Sequence, residues 1–437
     1  MKSEDPYIRT LQRLLFGLAG AYLFIITIKV IEAWITGWPA PGTLINGAGV
    51  PLGGDLAAFI NAGRLFEADR LGLYDFARQS RSMEQLLGQG LSENGHLPFA
   101  YPPLVAWVFS LFNALSYQQV YVLGSLVAVV STILSVGALL QIALRERLSY
   151  SKSVLLTVIP VLGYFPFSLN CILGGQLAWV GIVILSLCFI ALKRERIALA
   201  GVLFSLSYYK PPLFIVLLIG LMFIYGGRFI AGFTAGALLL IVTSIALAGW
   251  GTSLEFLKLA QGYRYGETFF EGLHLPPDQG AGVYALLVNL CSDIRIANVT
   301  LLLLAITAVV QAARFQRAGV TKELVFSFLV ITSLALSIQC INYDLSIALV
   351  PCALVLPLCR CQQREALFLL GVAGLLCEWI LRRIPIFHEQ YNLSAIALIV
   401  TSMGLWQLCR AHSRLAPQQK QSRGLTDSCR TATPLGN

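Results

Sequence analysis

Few side chains in this chain can do chemistry, so the ones that can stand out. Residues 53–66 read GGDLAAFINAGRLF. Asp55 follows two glycines and opens a pattern in which Leu56, Phe59, Ile60, Gly63 and Phe66 recur at helical spacing. A carboxylate at a loop-to-helix junction has two readings. It caps the helix, or it is both held and reachable, as a general base must be. Other polar groups interrupt apolar stretches: Tyr101 in PFAYPPL, Gln176 in SLNCILGGQ, Lys210 in SYYKPPLF and Asp344 in INYDL. Arg264 and His274 lie in a long polar stretch, and Arg382 and Arg383 follow an apolar run. Each has a plainer role open to it. Tyr101 suits an interfacial aromatic belt, Lys210 can snorkel to headgroups, Asp344 can cap a helix, and His274 can be an ordinary loop residue. Asp75 reads as a turn or cap residue, and Lys29 and Glu32, three apart, as a pair. No His, Asp, Glu or Cys spacing suits a metal, and no phosphate-cradling glycine motif is present, so no cofactor is expected.

These groups sit in a very apolar chain. Of 437 residues, 57% are hydrophobic and 12% charged, with mean hydropathy +0.74. A soluble domain carries roughly 25% charged residues. So much apolar surface cannot be hidden in a water-soluble core, and the chain reads as a polytopic membrane protein. The first apolar run is long enough to span and too long for a signal-peptide core. The net charge of +9 is not arranged as a basic stripe between exposed aromatics, which argues against nucleic acid. The ten cysteines read as small packing residues.

The apolar runs predict about twelve transmembrane helices. The spans are 11–36, 118–144, 152–169, 174–192, 197–209, 211–226, 228–250, 297–313, 323–341, 345–359, 366–381 and 392–410. Segment 101–116 is too short and reads as re-entrant or interfacial. With that choice RERLSYSK (145–152), KRER (193–196) and the tail share one side, which receives 20 of the 31 Lys and Arg residues. By the positive-inside rule this side is cytoplasmic, with both termini there. The expectation is an all-α polytopic membrane protein with one catalytic domain, 1–410, outer loops at about 37–117 and 251–296, and a disordered cytoplasmic tail, 411–437. The short spans 197–209 and 211–226 meet at Lys210-Pro211-Pro212, where proline breaks the helix. Non-helical backbone at that depth needs protein or a water-filled cavity around it.

In this topology the ionisable groups gather at the outer ends of many spans. Such groups are expensive in a membrane and usually functional. A transporter would thread them through the midplane between repeats. A cluster at one mouth, under a long loop, suits an enzyme with a lipid-borne substrate.

GGDLAAFINAGRLFEADRLGLYD, PFAYPPL, GGQLAWV, YYKPPLF and NYDLSIALVP resemble, in order and spacing over about residues 50 to 355, the motifs of glycosyltransferase family 87. Asp278-Gln279-Gly280 stands where members often have Asn-Gln-Ser. The resemblance implies a GT-C bundle of the cell membrane with its active site on the extracytoplasmic face. It implies an inverting, metal-independent mannosyltransferase using a polyprenyl-phosphate-linked sugar donor and a lipid or glycan acceptor. Asp55 is then the catalytic base. Lys210 is the first choice for the donor phosphate, followed by Arg264, Arg382 and Arg383, while Tyr101, Gln176, Asp344 and His274 contact substrate. Rival readings are a GT-C transferase using another lipid-linked sugar, and a polytopic lipid-glycan flippase or transporter.

Overall fold

The structure is a computed structural model that describes residues 6–40, 42–45, 50–88, 98–145, 147–262, 268–269, 273–274, 280–291, 294–359, 365–381 and 393–430. In chain order the helices are α1 (Pro6–Thr36), α2 (Leu56–Ala68), α3 (Phe76–Leu87), α4 (Pro103–Ser110), α5 (Tyr117–Ala143), α6 (Tyr150–Gly163), α7 (Phe165–Phe167), α8 (Ala178–Lys193), α9 (Ile197–Ser205), α10 (Pro211–Ala248), α11 (Trp250–Gly262), α12 (Val283–Leu290), α13 (Ile294–Arg317), α14 (Lys322–Leu336), α15 (Leu349–Val355), α16 (Ala366–Leu381) and α17 (Leu393–Arg430). A helix satisfies its own backbone groups, which is why apolar runs without access to water take this form. Between α11 and α12, β1 (Thr268–Phe269) and β2 (Leu273–His274) form a short antiparallel pair.

Among the described residues five helices are long and apolar enough to cross a membrane: Gly17–Thr36, Tyr117–Ala143, Pro211–Ala248, Ile294–Arg317 and Leu393–Arg414. A sixth crossing arises if Tyr150–Gly163 and Phe165–Leu173, bent by 72°, act together. Length alone therefore supports five or six spans rather than the expected twelve. The difference has physical sources. Several expected spans are short apolar helices, among them Ala178–Lys193, Ile197–Tyr209 and Asn342–Leu358. The expected spans 211–226 and 228–250 form one element, α10, broken at Gly226, whose φ of +64° and ψ of −150° are not helical. Phe204 of α9 touches both Phe214 and Phe229, at ring-centroid distances of 6.3 and 6.1 Å. In an unbroken helix those two residues would lie ~22 Å apart. The chain therefore folds back at Gly226, and the two arms of α10 lie side by side.

Segment 101–116 contains only α4, eight residues packed on α2 and far short of a crossing. Lys29 and Glu32 pair within α1 at 2.8 Å. α17 runs past Ala411 to Arg430, through Ala, Gln, Arg and Lys residues that favour helix.

The neighbouring helices α5 and α8 run the same way and define two ends. Tyr121 and Gln176 share a cavity near their starts. Ile142, Arg145 and Lys193 share another near their ends, ~30 Å along the helix axis. That second end is basic and is stitched by Lys193–Glu323 and Lys322–Glu195, each at 2.5 Å.

Candidate active site

Two glycine pairs build the site. Gly53 and Gly54 have φ of +73° and +47°, and Gly175 has +65°, a region closed to most L-residues. The turn at 174–176 lies directly on the 53–55 turn. A Cβ on Gly175 would fall 2.5 Å from Leu56 Cβ and 2.8 Å from the Gly53 carbonyl oxygen. The Asp55 N–H donates to the Gly174 carbonyl at 3.1 Å. Gly53 thus lies against the Tyr121 ring and Gly54 against the Gly174 backbone, and this close packing fixes Asp55 beside Gln176.

Asp55 occupies the cap position of α2, yet its backbone is already helical (φ −66°, ψ −17°) and its carboxylate makes no capping bond. It lines a cavity of about 440 Å³ with Gln176, Asn170, Trp34 and Tyr121. The surrounding protein desolvates the carboxylate and raises its pKa to about 7, against the opposing pull of the Lys210 cation. Asp55 lies outside the membrane-spanning helices. The Oε1 of Gln176 is buried with no hydrogen-bond partner among the described residues.

A second cavity, about 540 Å³ and almost wholly apolar, adjoins the first. It shares Tyr121 with the first and is bordered by Leu56, Gly175, Cys171 and Tyr209. Its outer lining, Val108, Leu123 and Val127, is exposed.

Lys210 and Asp344 form a buried ion pair at 2.6 Å. Asp344 Oδ2 also accepts from the Ile341 N–H at 2.9 Å, so the cap reading of Asp344 holds alongside the pair. Its Oδ1 is buried without a partner among the described residues. The ammonium lies 4.4 Å from the Tyr343 ring centroid. The lysine at the helix break is thus held by a carboxylate 134 positions away and reaches Asp55 only through its field. Tyr101 packs edge-on to Phe59 at 5.0 Å and stacks on Tyr209 at 6.5 Å, which ties α2 to the residue before Lys210. Asp75 caps α3 through the Arg78 N–H at 3.1 Å.

Of the residues expected from the sequence, the structure brings Asp55 and Gln176 into one cavity, with the Lys210–Asp344 pair beside them. Tyr101 stands one aromatic layer away and lines neither cavity. Arg264, Arg382 and Arg383 lie outside the described residues. His274 is described only as backbone, in β2. The sequence reading missed the aromatic wall. Trp34 stacks on Tyr121 at 6.5 Å, and Trp38 packs edge-on against both. The one signal for it was two tryptophans four apart at the end of the first span, which also describes an interfacial belt.

A membrane bundle with an uncapped carboxylate set between a polar and an apolar cavity has the form of an enzyme acting at the lipid interface. The family model for glycosyltransferase family 87 matches residues 99–338, more than half of the chain. The chain belongs to that family and is a glycosyltransferase. The match includes Tyr101, Gln176 and Lys210 and leaves out Asp55 and Asp344. Neither the curated proteins nor the solved structures searched gave a match.

Proposed function

We propose that this glycosyltransferase is a polyprenyl-phosphate-sugar-dependent hexosyltransferase. It moves one sugar, mannose by the family resemblance, from a polyprenyl-phosphate carrier to a lipid or glycan acceptor, with inversion and without a metal. The fold that goes with this reading is a GT-C bundle of about twelve crossings in the cell membrane. Its Asp55 end is extracytoplasmic, and its basic end and both termini are cytoplasmic. The observation that carries the proposal is Asp55, a carboxylate free of any capping bond, facing a polar cavity, with its pKa raised to about 7.

Such a carboxylate is a better base than an ordinary aspartate and is still half ionised near neutral pH. The acceptor oxygen bonds to the anomeric carbon as the bond to the carrier phosphate breaks. The hydroxyl proton passes to Asp55, and the bonding electron pair leaves with the polyprenyl phosphate. The leaving phosphate needs cations preorganised around it. Lys210 spends one N–H on Asp344 and has two more to give, and Arg264, Arg382 and Arg383 are the further candidates. The apolar cavity suits the prenyl chain, since its lining includes Tyr209, next to Lys210. In this reading Gln176 meets the substrate through Oε1, a buried acceptor without a partner among the described residues, and Tyr101, Asp344 and His274 are the further candidate contacts.

Purified protein incubated with radiolabelled polyprenyl-phosphate mannose, a membrane-lipid extract and EDTA tests the reading. A labelled lipid made by the wild type and not by Asp55→Asn supports it. Transfer only from other polyprenyl-phosphate sugars discards mannose. No transfer from any such donor discards the proposal.

A further inference from the structure

The basic end carries a feature that the transfer reaction does not use. A recess of about 560 Å³ opens between the last turns of α5 and α8. Its polar lining is Gln141, Arg145, Lys193 and Arg194, and its floor is Ala138, Ile142 and Ile190. Among the described residues no carboxylate lines it. Lys193 is held by Glu323 at 2.5 Å, while Arg145 and Arg194 have no carboxylate partner among the described residues. Arg145 also sits in left-handed backbone, φ +53°, a helix-end position that ordinarily goes to glycine. Cations at helix C-termini offset the helix dipole. That does not require them to converge on one recess with an aliphatic floor.

We infer that this recess binds the phosphate of an anionic phospholipid headgroup, with Arg145 and Arg194 as ligands and an acyl chain running along Ile142 and Ile190. Guanidinium groups pair with phosphate oxygens bidentately. The aliphatic floor favours a lipid phosphate over a free one, because inorganic phosphate has no apolar part to bury. The site lies at the end of the bundle opposite Asp55, so it is independent of the sugar chemistry.

The test uses the purified full chain in detergent and measures lipid retention by native mass spectrometry. The probes are dioleoyl phosphatidylglycerol and dioleoyl phosphatidylcholine, which share their chains and differ in headgroup charge. The wild type is expected to hold one equivalent of phosphatidylglycerol about tenfold more tightly than phosphatidylcholine. Arg145→Gly with Arg194→Gln should erase that preference, and glycine suits the backbone at 145, so the melting temperature serves as the check on folding. If the double variant fails to fold, Arg194→Gln alone should still reduce the preference. Arg317→Gln removes an exposed charge from the end of α13 that does not line the recess and should change nothing. Equal retention of both lipids, or an equal loss in Arg317→Gln, overturns the site. Displacement of phosphatidylglycerol by inorganic phosphate at the same concentration overturns the lipid assignment.

Discussion

Asp55 and Asp344 are the same side chain at the start of a helical segment, and the fold treats them in opposite ways. Asp344 is fully buried, accepts the Ile341 N–H and is ion-paired with Lys210 at 2.6 Å. Asp55 has only its backbone engaged, by Gly174, and its carboxylate is left to face a cavity. A carboxylate that is fully buried and ion-paired through one oxygen has a structural task. One held by its backbone, desolvated and unpaired, is available for proton transfer. Lys210 links the two, neutralising one and moderating the other.

The largest effect should come from breaking the closed member. Asp344→Asn leaves the Lys210 ammonium buried without a counter-charge, which costs about 3–5 kcal/mol. Thermal unfolding in detergent should show a large drop, and Lys210→Met with Asp344→Leu should recover much of it. If Asp344→Asn melts like the wild type, the pair is not holding this part of the fold.

The second test breaks the open member. Asp55→Asn keeps the shape and should leave the melting temperature within a few degrees of wild type. Turnover should fall by about 100-fold or more, the scale of losing a general base. Near-normal turnover would remove Asp55 from the chemistry and leave the comparison as one of two structural acids.

The third test is pH. With a pKa of about 7, Asp55 loses its ionised form below neutrality, so turnover should rise about tenfold from pH 6 to pH 8. Stability should run the other way. The folded-state pKa lies above the ordinary value of 3.8, so between about pH 4 and 7 the folded state holds a proton that the unfolded state has released. Stability is therefore greatest at the acid end of that window and declines as pH rises through it. Asp55→Asn should flatten both trends, and a variant that keeps the wild-type profile would assign the titration to another group.

Much of this arrangement could be read from the sequence, and the part that could not has a common cause. Asp55 shows itself because an acid after two glycines is rare in so apolar a chain. The division of α10 near residue 226 and the break at Lys210 are visible because glycine and proline mark them locally. The pairing of Lys210 with Asp344 is not visible, because the two are 134 positions apart and the topology places both, unpaired, at the outer end. The caging of Asp55 by Gly174 and Gly175 is hidden in the same way, since each glycine pair alone reads as an ordinary turn. Trp34 and Tyr121 look like belt or packing residues until α1 and α5 are brought together. What sequence misses here is contact between distant segments, and such contact separates the held carboxylate from the free one.

The smallest expected effect sharpens the comparison from the exposed side. Arg78 pairs with Asp69 and, at 3.3 Å, with Asp75, all with partly solvated side chains. Water already stabilises each of these charges, so their attraction replaces good solvation rather than compensating for its loss. Arg78→Ala should cost no more than about 1 kcal/mol, with added salt shrinking the difference further. The Lys210–Asp344 pair has no such alternative, and salt should leave its contribution nearly unchanged. Melting curves for Arg78→Ala and Asp344→Asn at low and high ionic strength give the contrast directly. If the exposed cluster costs as much to break as the buried pair, burial is not what distinguishes the charges at this end of the molecule, and the assignment of Asp55 would have to rest on its kinetics alone.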